Sequence, residues 1–232
     1  MGVRSITKTT KAMNIRYIFS ILLSLVTITA SAQDEMEESA KQARAALDEM
    51  SETMKKSDAI KIDFKMTSES KQTGEKSAAD GSLLIVGDRY VLDLMDMVTY
   101  NDTKSVAVWQ KKANEVDISE AEEDDSTITP HNLFSAYKEG YKLRMLGERK
   151  VDGVNCQEID LYPDAKKKSN IVRIRISIDK SKKSLRQLQQ QMKNGEVMTV
   201  SIQKIDTSVT VSDKDLWFDK ASHPEVEIVD LR

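Results

Sequence analysis

His131, His223 and Cys156 are the side chains here that most often carry catalysis or hold a metal. The 232-residue chain has no other histidine or cysteine. A structural zinc site takes four such ligands and a catalytic one three, at short, recognisable spacings. The two histidines lie far apart in sequence, and one cysteine makes neither a metal pair nor an internal disulfide. Cys156 sits in the alternating stretch "VNCQEIDLY", which predicts a strand in which the thiol acts as a small apolar residue. The sequence has no glycine-rich phosphate loop and no serine in a nucleophile elbow. Carboxylates are plentiful, but nothing in their spacing singles out an acid–base pair. The expected protein is not an enzyme and has no cofactor and no metal.

What remains is apolar chemistry. The stretch "GSLLIVGDRYVLDLMDMVTYND", Gly81–Asp102, is rich in strand formers but does not alternate. Leu83 and Ile85 share one side, and Leu84 and Val86 the other. Further on, Leu92 and Leu94 share one side, and Met95 and Met97 the other. A strand with one face in water is polar at every second residue, so this stretch needs cover on both faces. Three arrangements supply it: a second sheet, a packed helix, or an apolar cavity closed by a helix and filled by a water-shunning ligand.

The elements that position these residues follow from periodicity. Gln33–Ser57 predicts one helix, with Met36, Ala40, Ala43, Leu47, Met50 and Met54 on a thin stripe. After it the period becomes two. Ile60, Ile62, Phe64 and Met66 share a face. So do Val172, Ile174, Ile176 and Ile178, with Arg173 and Arg175 outside, and so do Met198, Val200 and Ile202. Asn194-Gly195 is a strong hairpin signal and predicts positive φ at both residues. Together with "VDGVN" at Val151–Asn155 and "DKSKKS" at Asp179–Ser184, it makes Leu143–Ile205 an antiparallel meander. Ser119–Thr127 is an acidic loop. It is followed by "TPHNLFSAYKEGY", where Thr129 caps, Pro130 opens and Gly140 ends a short helix. Leu133, Phe134 and Tyr137 share one face of that helix.

Arg16, the apolar run "YIFSILLSLVTITA" and "ASA" at Ala30–Ala32 have the form of a secretory signal peptide. A compact signal begins at Met13, which leaves Met1–Ala12 as an upstream extension. Cleavage near Ala32 leaves residues 33–232, enough for one domain with its own core. It also removes Arg4, Lys8, Lys11 and Arg16, moving the formal charge from −3 to −7. An acidic chain with 5% aromatics is poorly suited to nucleic acid. The expectation is an exported monomer.

The order of elements resembles a family. An Ala-rich helix and "IKIDFKMTSES" are followed by "DGSLLIVGDRYVLDL", "MVTYNDTKSVAVWQKKANEVDIS" and "TPHNLFSAY". The hairpin "IVRIRISIDKSKKSLRQLQQQMKNGEVMTVSIQKI" comes next, and the chain closes on "LWFDKASHPEVEIVDLR", with Asp230 near its end. Across nearly the whole stretch after the signal, this is similar to the LolA-like periplasmic outer-membrane lipoprotein carriers. The resemblance implies a mainly β fold, an unclosed antiparallel β half-barrel covered by an N-terminal helix and a short lid helix. It implies that the protein binds the acyl chains of lipoproteins in an apolar cavity and ferries them from the inner to the outer membrane. The implied partners are acylated lipoproteins, an inner-membrane lipoprotein-release complex and an outer-membrane acceptor.

Leu92, Leu94, Trp109, Leu133, Phe134 and Tyr137 are the residues then expected at the lipid or the lid. Trp109 has two places open to it, the cavity or an outer core, and Phe134 and Tyr137 are either lid or ordinary core. Family members carry a lid-closing arginine just after the strand matching "LLIVG". Here Gly87-Asp88-Arg89-Tyr90 offsets it by about two positions, so Arg89 is either the gate or an exposed loop residue. Two other readings stand beside the carrier. One is an envelope lipid or lipoprotein sensor on the same fold, and the other is an exported β-protein without a ligand.

Overall fold

The computed structural model describes residues 15–121, 132, 134–165 and 169–232, with the helical backbone alone for 15–33. The expected signal segment, the acidic loop from residue 122 and Leu133 therefore lie wholly or partly outside the described residues. Helix α1 spans Ile15–Lys55. The chain divides into a unit Met1–Glu38 and a unit Ser39–Arg232. The second unit holds every described strand and the part of α1 that packs on them.

Twelve strands form one sheet among the described residues. They are β1 (Ala59–Ser70), β2 (Lys76–Val86), β3 (Arg89–Leu94), β4 (Met97–Asn101), β5 (Ser105–Gln110), β6 (Glu115–Glu120), β7 (Tyr141–Val151), β8 (Val154–Pro163), β9 (Ile171–Asp179), β10 (Ser184–Met192), β11 (Glu196–Asp206) and β12 (Glu227–Asp230). The spatial order is β12-β6-β5-β4-β3-β2-β1-β11-β10-β9-β8-β7, so two meanders meet where β1 pairs with β11. The end strands β7 and β12 do not pair with each other, and the sheet is unclosed. Every pairing is antiparallel except β12 against β6, which is parallel.

The puzzling stretch is not one strand but three. Gly87 and Met95 take positive φ, 59° and 57°, at the start of two tight turns that separate β2, β3 and β4. The second turn resets the parity. Met97 lies directly opposite Leu94, so it shares the Leu94 face rather than the other one. Asp152-Gly153 forms the two-residue hairpin with both φ positive, 48° and 80°. The Asn194-Gly195 hairpin has a three-residue connection instead. Only Gly195 is left-handed, and its N–H bonds to the Met192 carbonyl at 3.1 Å. On β9, Ile171 is buried and Val172 is 44% exposed, the reverse of the simple alternation. The β10 partner slips register between Gln191 and Met192, opposite that point.

One face of the sheet packs on α1. Ala43, Ala46, Leu47, Met50 and Met54 join Ile60, Ile62, Phe64, Leu83, Ile159, Leu161, Ile174, Ile176, Ile178 and Leu188 in a single buried cluster. Fully burying each large aliphatic side chain contributes about 1.5–3 kcal/mol, so this stripe anchors the helix. Met36, the first residue of the expected stripe, is 74% exposed.

The opposite face is divided. Across β8–β11 it is polar. Gln187 and Gln189 donate to Ser201 and Thr199, and Arg175 clamps the buried Asp160 at 2.7 and 2.9 Å. Cys156 is fully buried in β8, where burial and Asp179 push its thiol pKa up and leave it inert. Across β4–β6 the opposite face is apolar, and Ala107, Val116, Phe218 and Val226 form a second buried cluster.

Candidate functional site

The helix-covered face is completed unevenly. On β1 from Ile60 to Phe64, and at Ile159, Leu161, Ile174, Ile176, Ile178, Leu185 and Leu188 of β8–β10, its apolar residues are almost wholly buried. On β3, Tyr90, Leu92 and Leu94 pack against the same cluster but are only half-buried, as are Met66 on β1 and Val200 on β11. Met97, opposite Leu94, is 48% exposed. The apolar floor thus runs on past the part that α1 seals.

Register places these side chains. Leu83 lies opposite Leu92, and Gly81 lies opposite both Phe64 and Leu94. Gly81 makes room for an aromatic ring, because a Cβ there would come within 2.5 Å of Phe64 Cζ. The ring of Phe64 occupies the space a side chain would fill, beside Leu94.

Packing of the helix is incomplete around its edges. A cavity of about 420 Å³ opens beside Gln42, Ala46, Glu49, Met145 and Lys183. A second, of about 200 Å³, lies near Met54, Ile60, Ile85 and Phe134. Polar contacts hold the helix down. The Tyr137 hydroxyl donates to Asp48 at 2.6 Å, and Lys183 pairs with Glu49 at 3.1 Å. Ser39 bonds both the N–H and the carbonyl of Met145. Burial first, and then the Asp48 carboxylate, push the Tyr137 phenol well above its ordinary pKa.

The expected site residues separate into groups. Leu92, Leu94, Phe134 and Tyr137 all belong to the helix-covered side, with Phe134 and Tyr137 buried in the cluster itself. In place of the expected short lid helix, the described residues of that segment hold a three-residue 3-10 turn, Ala136–Lys138. Trp109 is a correction. It packs on the opposite face, with its ring 5.5 Å from Phe218 and 4.6 Å from His223. Of the two readings open for Arg89, the gate is not the one its position supports. Arg89 shares the side of Val91 and Asp93, away from the helix, and pairs with the exposed Asp213 at 3.3 Å.

Two features went unread in the sequence. The Tyr137–Asp48 bond joins residues 89 apart and has no local signature. The second was the segment after β11. In "LWFDK", Leu216 and Phe218 are buried although no strand contains them, and that apolar cluster was the available signal.

No family profile matches the sequence, and no curated protein does. Solved structures do. An uncharacterized conserved protein from Thermus thermophilus superposes with a TM-score of 0.56 at 11% identity, over 82% of this chain and 99% of that one. That likeness shows the fold. A LolA superfamily protein from Nitrosomonas europaea matches with a TM-score of 0.41 at 9% identity, over 76% of this chain and 97% of its own. The Mycobacterium tuberculosis lipoprotein LppX matches with a TM-score of 0.43 at 14% identity, over 72% and 97%.

Within that fold, the helix-covered face has the chemistry of a surface for apolar ligands. Leucine and methionine line it, and methionine adapts to irregular apolar shapes. Among the described residues no group of His, Cys, Asp or Glu is placed to hold a metal ion.

Proposed function

We propose that the protein is a periplasmic carrier that takes the acyl chains of lipoproteins onto the helix-covered face and conveys them from the inner to the outer membrane. One observation carries this reading. The floor of Leu92, Leu94, Met66, Met97 and Val200 continues the helix-covered core but is left half-open. Each methylene moved from water to such a surface is worth roughly 0.8 kcal/mol, so an acylated protein needs cover of this kind to cross water. The resemblance of the element order to the LolA-like carriers supports the same reading.

Helix α1 is then the replaceable part of the wall. Its stripe is built of Ala and Met with a single Leu, and cavities flank it. An acyl chain displaces the helix from the floor, and the lost helix contacts are subtracted from the affinity. That subtraction suits a carrier, which must also release its cargo. The implied partners are an inner-membrane release complex and an outer-membrane acceptor. Depletion of the protein in its own cell is expected to leave lipoproteins at the inner membrane. Normal sorting on depletion would overturn the transport role and leave a sensor on the same binding face.

A further inference from the structure

The opposite face carries a groove that the carrier reading does not use. Its origin is topological. β11 lies beside β1 and β12 beside β6, so residues 207–226 must cross the strands between them. At ~4.8 Å per strand that is a path of about 34 Å. The segment bridges the sheet and leaves a groove of about 720 Å³ beneath it. That volume falls within the range of small-molecule sites, about 300–1,000 Å³.

The floor is apolar, formed by Leu84, Val91, Val98, Tyr100 and Trp109, and Trp217 closes it from the segment. The polar groups along it are not balanced in hydrogen bonding. Its acids are already engaged. Asp93 holds Lys111 at 2.8 and 3.0 Å. Asp215 accepts from the N–H and hydroxyl of Ser212, and Asp219 from Ala221 and Ser222. The donors are less engaged. The side-chain ammonium groups of Lys61 and Lys214 face Asp206 and Asp219 but make no hydrogen bond or close ion pair among the described residues. The Trp109 indole N–H is shut from solvent and has no acceptor there.

We propose that this groove is a second ligand site, for a small amphiphile with an apolar body and an oxyacid head, a carboxylate or a phosphate. The body lies on Leu84, Val91 and Val98, and the head takes the donors of Lys61 and Lys214. Selection rests on hydrogen-bond donors left open rather than on net field, since Asp215 and Asp219 offset the two ammonium charges. The site is independent of the acyl-chain face.

The chain's two tryptophans, Trp109 and Trp217, both line this groove, so intrinsic fluorescence reports on it directly. The purified protein would be titrated with decanoate, decyl phosphate, decanol and decylamine. The expected result is a saturable change with decanoate, decyl phosphate or both, and binding of decanol and decylamine weaker by about tenfold or more. Which head binds tighter separates a carboxylate ligand from a phosphate one. The double variant Lys61→Gln/Lys214→Gln, changed only at exposed positions, is expected to lose about tenfold in affinity for the preferred head. Leu94→Glu, on the other face, is expected to keep it. No saturable change, equal binding of decanol, tighter binding of decylamine, or loss in Leu94→Glu with retention in the double lysine variant would each overturn the proposal.

Discussion

Gly81 shows how one missing side chain shapes the candidate site. Alanine there would drive its Cβ to 2.5 Å from Phe64 Cζ and 3.0 Å from the Asp93 carbonyl, so the ring must turn out of the core. Gly81→Ala is expected to cost about 1–3 kcal/mol, read as a fall in denaturation midpoint. An unchanged midpoint would mean that the ring moves freely. Gly195→Val tests the β10–β11 hairpin, where φ is 84°. A left-handed valine costs about 1–2 kcal/mol, a drop in Tm of about 2–8 °C for a domain of this size. An unaltered Tm would remove the turn assignment. The dipeptide was legible as a turn, but its type was not. Type depends on loop length, and the strands end three residues apart here instead of two. At Asp160 burial alone would raise the pKa, but the Arg175 clamp, Arg173 and Tyr162 outweigh it and hold the carboxyl below its ordinary value. The folded pKa therefore lies below the unfolded one, about 3.9. The stabilisation is complete at neutral pH and is lost as pH falls below about 4, through the folded pKa. Arg175→Met would remove the clamp from a carboxylate that is 1% exposed and leave it Arg173 at 3.6 Å and the Tyr162 hydroxyl. It is expected to cost about 1.5–3 kcal/mol at neutral pH and clearly less near pH 3 in chemical denaturation. An equal cost at both would mean that the pair is not what stabilises the β8–β9 face.

Helix α1 and the segment around Tyr137 form the element on which the proposed function turns. Its apolar stripe was legible because helical spacing survives any tertiary context, and Ala43, Leu47, Met50 and Met54 are all buried. What the stripe covers was not legible, since sheet order is set by pairings that no local pattern encodes. Arg89 was open between a gate and an exposed residue, and its strand parity sends it to the opposite face and Asp213. Two bonds tie the helix to the expected lid segment, a short one from Tyr137 to Asp48 and a long one from Arg44 to the Lys138 carbonyl. Tyr137→Phe keeps the buried ring and removes the short bond. It is expected to lower stability by about 1–2 kcal/mol and to raise affinity for a triacylated lipopeptide several-fold, because less must be broken to open the face. A fall in affinity would show that the phenol contacts ligand instead of holding the cover.

At the scale of the whole sheet, two asymmetries are superposed. The helix-covered face is sealed over most of β8–β10 and over β1 as far as Phe64, and half-open over β3 and at Met66. The opposite face is polar over β8–β11 and apolar over β4–β6, under the crossing segment. The failure of Gly81–Asp102 to alternate follows from this division, since that stretch lies where both faces need apolar cover. Its two covers are different elements, α1 on one side and residues 207–226 on the other. The sequence showed that two covers were needed but not that the second came from the far end of the chain. Trp109 was accordingly placed with Leu92 and Leu94, when it belongs with Phe218. The central claim is that acyl chains replace α1 on the helix-covered face. Hydrogen exchange of the backbone amides of residues 43–54, with and without a triacylated lipopeptide, tests it most directly. The account predicts that lipopeptide binding speeds exchange along this stretch, and that Leu94→Glu abolishes both the binding and the change while the protein stays folded. Lipopeptide that does not bind, or that binds while these amides stay as protected as before, would contradict it.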